Sequence, residues 1–162
     1  MDGRRKLVRI NRDRLVVPDD PVLQIPQAAY HQPVRVAVDR LSERLSAVVG
    51  IVLYGSVARG EADRRSDIDL WVAVDDNRAE NQREANAVRN ELEQREFDRR
   101  PRLPTDGVES DRYEFHIVVE SIEAVPSFED DVREIVLSGI PLYVTEAFTT
   151  LRNALVHGGD DE

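Results

Sequence analysis

The segment from Val48 to Val74 constrains the fold more than any other part of the chain. Val48-Val49-Gly50-Ile51-Val52-Leu53-Tyr54 is a short apolar run rich in β-branched residues and bounded by Gly55, which predicts a buried strand. A tight turn at Gly55-Ser56 and a short helical connector follow. Ten residues separate Ser56 from a second run, Asp67-Ile68-Asp69-Leu70-Trp71-Val72-Ala73-Val74, which starts alternating and ends apolar. Side chains two apart on a strand share a face. Asp67, Asp69 and Trp71 therefore project together, and Ile68, Leu70 and Val72 project the other way.

Two carboxylates side by side on one strand repel unless a positive charge lies between them. Hard divalent cations suit them, because Mg²⁺ takes carboxylate oxygens together with substrate phosphates. Phosphoryl chemistry often uses two such ions about 3.5–4 Å apart, one at the attacking oxygen and one at the leaving oxygen. A third acid is then expected. The run Arg112-Tyr113-Glu114-Phe115-His116-Ile117-Val118-Val119 reads as the next clear strand, with Glu114 and His116 on one face, and Glu114 is the candidate. Gly55 permits a close backbone approach or a positive φ. Ser56 offers a hydroxyl and an N–H at a predicted helix start, where unpaired amides favour phosphate oxygens. Arg59 is placed to add positive charge. His116 and Trp71 could touch a nucleotide, but a hydrogen-bonded sheet histidine and a packed tryptophan are the commoner outcomes.

Gly55-Ser56-Val57-Ala58-Arg59-Gly60 and Ser66-Asp67-Ile68-Asp69-Leu70 resemble the Gly-Ser and Asp-x-Asp motifs of the DNA polymerase β-type nucleotidyltransferase superfamily. The nearest resemblance is to the minimal nucleotidyltransferases, and it runs from about Val34 to Tyr143 in order of elements. It implies an α/β (α+β) fold with a small mixed sheet flanked by helices. It implies catalytic, metal-binding acids at Asp67, Asp69 and Glu114, and nucleotide contacts at Gly55, Ser56, Arg59 and Ser66. It also implies two Mg²⁺ ions, ATP as substrate, and transfer of AMP to a hydroxyl with release of pyrophosphate. Prokaryotic members often act as antitoxins beside HEPN-type toxins, so a tyrosine of such a toxin is the expected acceptor. The family's third acid is usually aspartate; here the longer Glu114 stands in its place. A non-catalytic antitoxin keeping the fold is the rival reading. A small-molecule, aminoglycoside-type transferase is a third, for which no second domain is evident.

Charge narrows the setting. There are 32 acidic residues against 22 basic ones, and Lys6 is the only lysine, giving a net charge of −10. Such a surface fits a salt-loving archaeal or bacterial host, where cations screen the repulsion, with an ordinary acidic protein of a GC-rich genome as the alternative, and disfavours nucleic acid over the body of the chain. The exception is a basic arm with Arg4, Arg5, Lys6, Arg9, Arg12 and Arg14, which a solvated tail also explains. There is no cysteine, no signal-peptide pattern and no apolar run of membrane-spanning length, so a cytoplasmic protein is expected.

The expected organisation is an arm and Pro-rich linker over residues 1–32, a nucleotidyltransferase domain over 33–157 and an acidic tail over 158–162. Leu7 to Val17 could form a hairpin or edge strand, and Pro18, Pro21 and Pro26 suggest an extended linker. Pro33 opens a helix with Val34, Val38, Leu41 and Leu45 at helical spacing. Asn77 to Arg100 reads as a long surface helix with Ala85, Val88 and Leu92 inward, and 99–111 as a loop. Phe128, Val132 and Ile135 mark a helix stopped by Gly139. Ile140 to Val144 is a short edge strand, and Phe148, Leu151 and Leu155 line a closing helix, with His157 and the tail frayed.

Overall fold

The computed structural model describes residues 20–63, 65–97, 112–123 and 130–158. Strand β1 (Val48–Tyr54) is buried continuously from Val49 to Leu53. A strand of that kind needs cover on both faces. Strand β2 (Asp67–Val74) pairs antiparallel with β1, β3 (Glu114–Ser121) pairs parallel with β2, and β4 (Ile140–Val144) pairs antiparallel with the other side of β1. The order β3-β2-β1-β4 makes a small mixed sheet, as the α+β expectation requires.

Helices α1 (His31–Arg44), α2 (Gly55–Arg59), α3 (Arg78–Glu93), α4 (Asp130–Ser138) and α5 (Glu146–Gly158) complete the described fold. One face of the sheet, carrying Ile51, Leu53, Ile68, Leu70 and Val72, packs on Val34, Ala37 and Leu41 of α1 and on Ala85, Val88 and Leu92 of α3. The opposite face, carrying Val52, Trp71 and Ala73, packs on Val136 of α4 and on Phe148, Leu151 and Leu155 of α5. Each fully buried aliphatic side chain contributes about 1.5–3 kcal/mol. Trp71 is thus core on the carboxylate face, and the cover of α4 and α5 lies over the Trp71–Ala73 end of β2, whereas Asp67 is exposed.

Buried Asn81 ties two loops of this frame. Its side chain donates to the carbonyls of Ser46 (2.9 Å) and Asp76 (3.1 Å) and accepts from Ser46 N–H (2.9 Å). Side chains of α3 also cover the outer edge of β3. The Gln82 amide donates to the Ile117 carbonyl (3.1 Å) and accepts from Val119 N–H (2.9 Å). Arg78 donates to the Val119 carbonyl (3.0 Å), and Glu93 accepts from Phe115 N–H (2.8 Å). Three side chains do the work of a neighbouring strand.

Several expectations are corrected. Pro21 does not open an extended linker: Pro21–Gln24 and Ala28–Tyr30 are 3-10 turns, the first capped by Asp20, whose carboxylate accepts from Val22 N–H. Arg35 holds the same carboxylate, and Val22, Ile25 and Tyr30 are buried in the main core. Proline fixes φ near the helical value, which suits a first turn as well as an extended chain. Helix α3 ends at Glu93, short of Arg100. His157 lies within the last turn of α5. The segment Leu7 to Val17, Pro18, the 99–111 loop, Phe128 and the tail beyond Gly158 lie outside the described residues.

Candidate nucleotide and metal site

The site grows from the β1–α2 turn and the start of β2. Tyr54 is extended, and Gly55 turns the chain with φ of +81°, in the left-handed region that side chains with a Cβ resist. A Cβ on Gly55 would run into the Asp69 carboxylate. Tyr54 is the register partner of Asp69 across β1 and β2. On the other side of β2, Asp67 stands opposite Glu114 and Asp69 opposite His116. Two rows result, Tyr54-Asp69-His116 and Asp67-Glu114, one pleat apart on the same face.

Electrostatics distinguish the two aspartates. Burial pushes the Asp69 carboxyl above the usual carboxylate range, and the charge of Asp67 pushes the same way, while His116 and Arg59 pull it down. His116 Nδ1 lies 3.4 Å from Asp69 Oδ1, with the Asp69 side chain only 23% exposed and that of His116 59%. The Tyr54 phenol is pushed up to about 12, by burial and then by the charge of Asp69. An acid held partly out of water beside a second acid is a place where a cation gains most.

Gly55, Asp67 and Asp69 are brought together. Glu114 lies at the Asp67 end, exposed, facing a different cavity from Gly55. Ser56 sits inside α2, its carbonyl accepting from Glu61 N–H at 2.9 Å. Arg59 pairs with Glu61 at 3.1 Å, both well exposed. Ser66 is held in a turn, its hydroxyl accepting from Asp63 N–H at 2.9 Å. Among the described residues no group of three His, Cys, Asp or Glu side chains is gathered closely enough to hold a metal ion. The oxygen-only donors Asp67 and Asp69 suit Mg²⁺ in chemistry; Glu114 does not join them in this arrangement.

Two cavities flank the rows. A cleft of about 570 Å³ runs between α2 and α4, lined by Tyr54, Gly55, Ala58 and Arg59 on one wall and Asp131, Glu134 and Ile135 on the other. A second, of about 580 Å³, opens at the strand starts beside Ser66 and Glu114, with Tyr30, Arg65 and Arg112 in its lining. Sequence reasoning passed over Tyr54, Asp131, Glu134, Arg65 and Arg112. Tyr54 carried a signal, being the last residue before the Gly55 turn. The others come from elements whose approach depends on tertiary packing.

The two-faced mixed sheet with a glycine turn against a strand aspartate defines an α+β core of one particular kind. The family described as the nucleotidyltransferase domain matches residues 34–135, and the chain belongs to it. No curated protein matches the chain. Among solved structures, a toxin-antitoxin crystal structure with AMP-PNP is similar at 20% identity, over 80% of this chain and 87% of that one, with a TM-score of 0.47. A mutant of the toxin-antitoxin MntA-HpeT is similar at 16% identity over the same shares, with a TM-score of 0.48. No helix among the described residues is long and apolar enough to cross a membrane.

Proposed function

We propose that the protein is a cytoplasmic nucleotidyltransferase that moves AMP from ATP to a hydroxyl, the acceptor being a tyrosine of a HEPN-type toxin. The observation that carries this reading is the packing of Gly55 against Asp69, with Asp67 and then Glu114 in line beside it. Mg²⁺, when bound, neutralises the triphosphate and polarises the reacting oxygens. Asp67 and Asp69 would hold it. The bare Gly55 lets phosphate oxygens come close to the backbone at the turn, Ser56 lies in that turn, and Arg59 can leave Glu61 for a phosphate. His116 orients the Asp69 carboxylate from the far side. Glu114 accepts the proton of the incoming hydroxyl. Asp131 and Glu134, across the cleft from Arg59, keep that wall unfavourable to phosphate and so confine the polyphosphate to the α2 side.

The resemblance of the Gly-Ser and Asp-x-Asp motifs to those of minimal nucleotidyltransferases supports ATP and a protein partner. The acidic surface with one lysine supports a high-salt host. A non-catalytic antitoxin is the second reading. It is favoured by His116 Nδ1 already standing 3.4 Å from Asp69 Oδ1, and by Glu114 lining the other cavity.

The test is incubation with labelled ATP, Mg²⁺ and a HEPN-type protein encoded beside this one, followed by intact mass. One added adenylate on the partner, absent with Asp67→Asn or Asp69→Asn, is expected. Glu114→Gln should block transfer and leave Mg–ATP affinity largely intact. Partner binding without transfer by the parent would establish the second reading instead.

A further inference from the structure

Tyr54 carries into the site a phenol that the transfer reaction described above does not use. It ends β1 in an extended conformation, with Gly55 next in the chain and Asp69 as its register partner on β2. A Cβ on Gly55 would run into the Asp69 carboxylate, so Tyr54, Gly55 and that carboxylate border one small space. The ring is half-buried and packs on the core that holds Val52 and Trp71 beneath α4 and α5. The same residue lines the α2–α4 cleft.

The fold makes no use of the hydroxyl. It has no hydrogen-bond partner among the described residues, although Asp69 is near enough for its charge to act on the phenol. The other side-chain donors of the cleft are engaged within the protein. Arg59 Nε donates to Glu61 at 3.1 Å, and Ser138 Oγ donates to the Glu134 carbonyl at 2.6 Å. At neutral pH a phenol is protonated and offers one donor without charge. That neutrality suits this place. Asp131 and Glu134 stand across the cleft, and a flexible cation at position 54 would be drawn to them or to Asp69. A neutral O–H held by a packed ring stays available to an anionic oxygen, to which its hydrogen bond is strengthened by the acceptor's charge.

We propose that Tyr54 is a phosphate-binding residue: its hydroxyl donates to a non-bridging oxygen of the phosphate seated at the Gly55 turn beside Asp69. This rests on the nucleotide-binding part of the reading above and not on the transfer step. Because the ring is anchored in the core, the bond forms without ordering a mobile side chain, which keeps its entropic cost low. The contact is to phosphate alone, so it serves any polyphosphate at the turn, with or without a nucleoside attached.

The experiment compares the full chain with Tyr54→Phe, which keeps the ring and removes only the donor. Titration calorimetry measures Mg–AMP-PNP affinity, and displacement of AMP-PNP measures Mg–pyrophosphate affinity. Tyr54→Phe should weaken both by a similar factor, about tenfold. Its melting temperature should match the parent's, because the hydroxyl has no partner inside the protein. Equal affinities in parent and variant overturn the proposal. So does a loss confined to AMP-PNP, which would assign the hydroxyl to ribose or base. A weakened affinity accompanied by a lowered melting temperature would make the role structural and overturn it too, as would failure of pyrophosphate to displace AMP-PNP from the parent. A tenfold loss for both ligands with no AMP transfer by the parent keeps the proposal and removes the transferase reading. A parent that does not bind Mg–AMP-PNP overturns both.

Discussion

Replacement of Gly55 by alanine tests the turn and the carboxylate together. Two costs are expected. The left-handed φ of +81° disfavours a residue with a Cβ by about 1–2 kcal/mol. The new methyl also meets the Asp69 carboxylate, and forcing an extra carbon into a packed contact costs about 1–3 kcal/mol. Gly55→Ala should therefore lose about 2–5 kcal/mol, part from each source. Asp69→Ala removes the carboxylate that the methyl meets. In that background only the backbone cost remains, so the double-mutant cycle should show a coupling of about 1–3 kcal/mol. Urea unfolding at neutral pH measures all four proteins, and Mg–ATP titration of Gly55→Ala should show weakened binding from the displaced carboxylate. Additivity within about 0.5 kcal/mol would refute the reasoning, because the two residues would then not be in contact.

Three further outcomes follow from the same geometry. Burial raises the Asp69 pKa in the folded state, so its protonated form is favoured there; its stability contribution is complete below the unfolded carboxylate pKa and is lost as pH rises through the raised value. Melting temperature against pH should show this decline in the parent and lose it in Asp69→Asn; identical slopes would remove the burial argument. Asn81→Leu strands the Ser46 N–H and carbonyl and the Asp76 carbonyl, and should cost about 2–4 kcal/mol in chemical denaturation, whereas under about 1 kcal/mol would mean that water replaces the amide. With 32 acidic residues and one lysine, the melting temperature should climb from millimolar to molar KCl, and a flat profile would contradict the high-salt reading.

The order of elements was legible because its signals are local. Period-two alternation set β2 and β3, and Val34, Leu41, Ala85, Val88 and Leu92 at helical spacing set α1 and α3. The shared face of Asp67 and Asp69 needs only strand geometry. The placement of Glu114 beside Asp67 depends on a parallel pairing between strands separated by α3 and the 98–111 segment, and no turn chemistry in the sequence specifies it. The His116 contact with Asp69 follows from that same pairing. The acidic wall of Asp131 and Glu134 depends on how α4 crosses the other face, which composition does not encode. Pro21 misled because one fixed φ serves both an extended chain and a 3-10 turn.

The side-chain bonds to and from β3 carry a consequence for what stands beside Asp67 on the other side of the sheet. A parallel strand has no hairpin to stop it sliding, and a slip of two residues would keep every apolar side chain on its proper face. Hydrophobic burial alone is nearly blind to that error. Such a slide would set His116 or Arg112 where Glu114 stands, opposite Asp67. Gln82 is blind to it as well, because the carbonyl and N–H two residues along offer its amide the same partners as those of Ile117 and Val119. Tyr113 is not: its hydroxyl donates to the Ala29 carbonyl at 2.8 Å, and neither Asp111 nor Phe115, which a slide would put in its place, carries a phenol. The residue that stands opposite Asp67 is thus read by a tyrosine just before the strand, and the glutamine only holds the edge.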